Sequence, residues 1–177
     1  MEDGHEPKVF GDGPYREPAE SCQTLRDSIG EVLEELWVMV YVYDNKVEDW
    51  ERVSPEFLFS GGVVRCDVAK GDWLQVLETR WKDKMCYLDK YMLEFVLSHG
   101  KWWKVDMSTT SPFSRYLGKR LEKVNLIENQ YGNMAGAEFW FENEVATFVV
   151  GADQTFFFPE KCRDRLTKMK FRVADAL

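Results

Sequence analysis

Histidine is nearly missing from this chain: there are two in 177 residues, His5 and His99. Histidine is the side chain that normally titrates between pH 5 and 8. Its scarcity restricts the acid–base chemistry open to the chain. His5 sits in an acidic, solvated stretch. His99 sits in a helix-ending turn, where a cation complements the helix dipole. Cysteine is sparse as well. Cys22, Cys66, Cys86 and Cys162 are far apart and contain no Cys-x-x-Cys. That spacing excludes a disulfide scaffold, offers no zinc pattern and reads as reduced thiols. Six prolines and twelve glycines exclude a collagen-like or Pro/Gly-biased chain.

Long apolar runs are also lacking. The longest, Leu36 to Tyr43, has eight residues, against the roughly 20 that a membrane-spanning helix needs. The start, Met1-Glu2-Asp3-Gly4, has neither the positive charge nor the apolar stretch of a secretory signal. The expectation is a cytoplasmic or nuclear protein away from the membrane. Three further motifs are missing. Gly11-Asp12-Gly13 runs into Pro14, Gly61-Gly62 has no following Lys-Ser/Thr, and there is no Gly-x-Ser-x-Gly. Neither a phosphate cradle nor a nucleophile elbow is written here. No cofactor and no metal site are expected, and the sequence leans away from an enzyme while leaving one that uses Asp, Glu and Tyr open.

What the chain has is apolar and aromatic mass. Apolar residues make up 45% and charged residues 31%, enough for one globular domain rather than a disordered chain. Residues 1–20 are rich in Gly, Pro and acid, and are expected to be a flexible acidic arm. Residues 21–177 are expected to form a single α+β domain. Leu25, Ile29, Val32, Leu33 and Leu36 recur at helical spacing and predict a first helix over Ser21–Trp37. Val38 to Tyr43 is β-branched and aromatic and predicts a strand, with residues 47–53 returning as a second. Ser54-Pro55-Glu56 reads as a helix start ended by Gly61-Gly62. A strand follows over Val63–Val68. Trp73, Val76, Leu77, Trp81, Met85 and Leu88 open a pattern that predicts a long helix over Trp73–Ser98.

Trp102–Met107 predicts another strand, and Ser111–Glu122 a third helix. Strands are then expected at Val124–Glu128, Met134–Glu142, Glu144–Val150 and Thr155–Phe158. Pro159 opens a short helix, and Met169, Phe171 and Val173 alternate with Lys168, Lys170 and Arg172 in a final strand with one basic face. The fold class expected is therefore α+β. A mostly antiparallel curved sheet of about six to seven strands packs against two or three helices, one of them long.

Function is read from two features. The first is 26 aromatic residues, 15% of the chain. Trp102-Trp103 and Phe139-Trp140-Phe141 occupy adjacent strand positions and so point to opposite faces of a sheet. A sheet covered on both faces buries every ring, whereas one covered on a single face leaves some as a recognition surface. The second feature is charge. The chain carries a net −8, which disfavours nonspecific nucleic-acid binding and favours a protein partner with a basic surface.

The leading reading is a protein-interaction module: an adaptor, inhibitor or regulatory subunit. Its anchors are Tyr43, Trp102, Trp103 and Trp140, and its acidic rim is Glu138 and Glu142 on a solvent-facing strip. One alternative is nucleotide or nucleic-acid binding, with bases stacked on the sheet and Lys168, Lys170 and Arg172 on phosphates. Another is a small-molecule pocket between the sheet and the long helix. Oligomeric state has no signature.

Overall fold

The computed structural model describes residues 16–44, 46–47, 49–69, 73–81, 100–152 and 154–177. Strands account for 53% of the structure and helix for 15%, so the fold is antiparallel β and the expected α+β class is corrected. Among the described residues, eleven strands form two sheets rather than one. The first contains β1 (Leu33–Tyr43), β2 (Lys46–Val47), β3 (Ser54–Phe59), β4 (Gly62–Ala69), β5 (Trp73–Leu77) and β6 (Lys101–Asp106). The second contains β7 (Leu121–Glu128), β8 (Met134–Phe141), β9 (Glu144–Gly151), β10 (Gln154–Phe158) and β11 (Arg172–Ala176), in the order β10-β9-β8-β7-β11. The described helices are α1 (Pro18–Ser28) and α2 (Arg163–Lys168), with a single 3-10 turn over Phe113–Tyr116.

β1 organises the first sheet. Trp37 pairs with Glu56 of β3 and with Asp106 of β6. A strand has two sides, so β3 and β6 flank β1. Leu36, Val38 and Val40 face the interior, while Trp37, Met39 and Tyr41 face the other way. The sheets pack face to face through aromatic rings. Phe57 of β3 lies 4.7 Å from Phe139 of β8 and 5.9 Å from Phe157 of β10, centroid to centroid. Phe59 lies 6.2 Å from Phe141. Each fully buried ring contributes on the order of 2–3 kcal/mol of transfer free energy, and these rings make the centre of the core. On the outer side of the second sheet, Leu166 of α2 packs with Ile127, Val149 and Phe158.

The corrections share a cause, which is that short apolar spacings fit two periods. The first helix stops at Ser28, not Trp37. Gly30, at φ +97, reverses the chain. The spacing of Leu33 and Leu36 that imitates a helix turn comes from a register shift between Leu33 and Glu35, which puts both on the inner face. The expected helix at Ser54-Pro55-Glu56 is strand β3, and Pro55 sits before the ladder to β4 begins, where a missing N–H is tolerated. Gly61 lies in the turn between β3 and β4 rather than ending a helix.

Trp73–Leu77 is a strand because Leu74 and Val76 alternate inward. The rest of the expected long helix, 82–99, lies outside the described residues, as do 1–15 of the expected arm; Pro18–Glu20 begin α1. The third helix is only the turn at Phe113–Tyr116. Gly118, at φ +74, then directs the chain into β7. The expected return strand over 47–53 is reduced to Lys46–Val47.

Candidate protein-binding surface

Among the described residues, three of the exposed large rings lie on β1 and β6, while Trp50 and Tyr131 lie in loops elsewhere. Tyr41 and Trp102 are register partners, and their rings meet edge-on at 5.3 Å. Tyr43 lies two residues along the same face of β1 and is 55% exposed. Trp102 and Trp103 are 39% and 41% exposed. Trp103 pairs with Val40, so its indole leaves β6 on the face opposite to that of Trp102. Gly100 leads into β6 at φ +90, and a Cβ there would overlap the Tyr41 hydroxyl. The approach of the chain to Trp102 therefore favours glycine chiefly for its dihedral, since the end of the Tyr41 side chain can move aside.

Beside these rings lies a charged floor that sequence reasoning missed. Glu56, on the outward-facing side of β3, is wholly buried. Its Oε1 accepts hydrogen bonds from Lys104 Nζ at 2.8 Å and Arg80 Nε at 3.0 Å, and its Oε2 accepts the Trp81 backbone N–H at 2.5 Å. Lys104 Nζ also stands 4.8 Å from the Trp37 ring centroid, and the Arg65 guanidinium 4.2 Å from that of Trp81. Three donors on one carboxylate satisfy a charge that would otherwise be costly to bury. They also hold the end of β5 across the sheet and fix the ammonium of Lys104 against Trp37. The guanidinium of Arg80 is correspondingly harder to deprotonate, through its hydrogen bond to Glu56.

The remaining anticipated residues lie elsewhere. Trp140, Glu138 and Glu142 belong to the second sheet and its β8–β9 turn. Glu138 is not a solvent-facing rim acid: it is fully buried and bonded to Asn125 Nδ2 at 2.9 Å and to Arg163 Nη2 at 3.3 Å. A buried acid needs such partners, and nothing in the local pattern names Arg163 twenty-odd positions away. Trp140 is half-buried, with Lys123 Nζ at 4.4 Å and Lys161 Nζ at 5.1 Å from its centroid. Glu142 is exposed at φ +54 in the turn.

Lys168, Lys170 and Arg172 do not share a strand face. Lys168 ends α2, Lys170 takes the left-handed position after it at φ +63, and Arg172 opens β11, paired with Glu128. Trp50, 48% exposed, is a further ring that was missed. Its setting among Glu48, Asp49, Glu51 and Arg52 was the available signal, because an isolated ring among charges has no apolar neighbours to bury it.

Burial raises the thiols of Cys22, Cys66 and Cys162 above the ordinary value, the wrong direction for a nucleophile. Among the described residues no cluster of three or more His, Cys, Asp or Glu is arranged to hold a metal ion. No described helix is long and apolar enough to cross a membrane. Comparison with protein-family models, with curated proteins and with solved structures finds no match to this chain.

Proposed function

We propose that this chain is a non-enzymatic protein-interaction module that grips its partner through the rings on β1 and β6, with Tyr43, Trp102 and Trp103 as anchors. The observation that carries the reading is the exposure of Trp102 and Trp103, consecutive residues on opposite faces of one strand. The fold buries most of its described Phe residues but leaves these two indoles about two-fifths exposed, and tryptophan is among the residues most enriched at binding hot spots. The buried Glu56 network supports the same surface. It clamps Lys104 and the chain near Trp81, so that the rings are displayed on a rigid sheet with little left to order on binding. The net charge of −8 favours a partner with a basic surface. The acidic rim at Glu138 and Glu142 is not part of this surface.

Selection from a phage-displayed random peptide library tests the reading. Selected peptides are expected to carry basic residues, and to lose about tenfold or more in affinity against Trp102→Ala and Trp103→Ala proteins, since a central anchor is worth roughly 2 kcal/mol. Binding should weaken as salt is raised. Peptides that bind the double variant as well as the native chain would sink the proposal.

A further inference from the structure

We draw no further inference here: the strongest candidate, the cleft between α1 and the β3–β4 turn that Asp27, Glu31 and Glu78 line together with Phe59 and Val64, is a cluster of acidic residues whose carboxylates already accept hydrogen bonds from Gln23, Ser60, Thr24 and Arg16, and among the described residues no buried, unpartnered polar group lines it.

Discussion

Glu56 and Lys104 meet at 2.8 Å across adjoining parts of one sheet, and the carboxylate of the pair is entirely out of water. The Lys104 side chain is itself only 14% exposed, so neither charge has solvent to fall back on. Removing the carboxylate with Glu56→Ala strands the Lys104 ammonium and the Trp81 N–H. The expected loss is about 3 kcal/mol, read from the urea unfolding midpoint. Arg80, nearly half exposed, keeps its hydration and adds little. Glu56→Gln retains an acceptor and should cost less than the alanine change.

Gly136 gives a purely steric prediction. A Cβ at this position of β8 would overlap the Phe148 carbonyl of β9 and stand 2.9 Å from Val149 Cα. Backbone cannot step aside as a side chain does. Gly136→Ala should therefore lose about 2–3 kcal/mol, at the upper end of overpacking costs. Urea unfolding followed by circular dichroism measures it.

Tyr116 makes stability fall at high pH. Burial pushes its phenol from the usual 10.0 up to about 12, and its hydroxyl donates to the Val145 carbonyl at 2.9 Å. Between these two values the folded chain holds a proton that the unfolded chain has released. Stability from this group is complete below pH 10 and drains away as pH rises toward 12. Ultraviolet titration should show one tyrosine ionising late, and Tyr116→Phe should flatten the decline in unfolding midpoint across that interval.

The thiols should rank by burial. Cys66 is fully buried and its thiol pKa is pushed strongly upward by desolvation, whereas Cys22 is only partly covered. Iodoacetamide should label Cys22 slowly and leave Cys66 untouched until the chain unfolds. Mass spectrometry of digested protein distinguishes the two, and early labelling of Cys66 would contradict the packing.

Acrylamide should divide the tryptophans in a corresponding way. Trp102 and Trp103 are about two-fifths exposed, while Trp81 is 7% exposed. Replacing Trp102 and Trp103 with Phe should lower the quenchable share of the emission, and Trp81→Phe should not.

The β4 and β7–β10 strands were legible in the sequence, because each is a run of β-formers bounded by turn residues. Their burial was not fully legible: Glu138 looks like a surface acid until Arg163 and Asn125 are brought to it by tertiary structure. The helices were over-read for a definite reason. A stripe such as Trp73, Val76, Leu77 satisfies a helix and a strand alike, and only pairing with β4 decides. At Leu33 and Leu36 the register shift erased the alternation that would have marked a strand. Strand parity put Trp102 and Trp103 on opposite faces, but whether either reaches solvent depends on what covers each face. Lys170 was singled out for its charge, but its left-handed backbone position depends on how α2 ends.

The pairing of β1 with β6 has a consequence for the order in which the chain assembles. The second sheet is mainly a meander, β7 to β8 to β9 to β10, whose neighbours follow one another along the chain. The register of the first sheet joins Val42 to Lys101, and closing so long a loop carries an entropic toll that local hairpins avoid. During synthesis β1 emerges early and waits for β6. Until that strand leaves the ribosome, one whole side of β1, with Trp37, Val38 and Val40 along it, has its own strand mate still untranslated. The first sheet is therefore expected to close only after β6 has been made, while the meander of the second sheet can pair strand by strand.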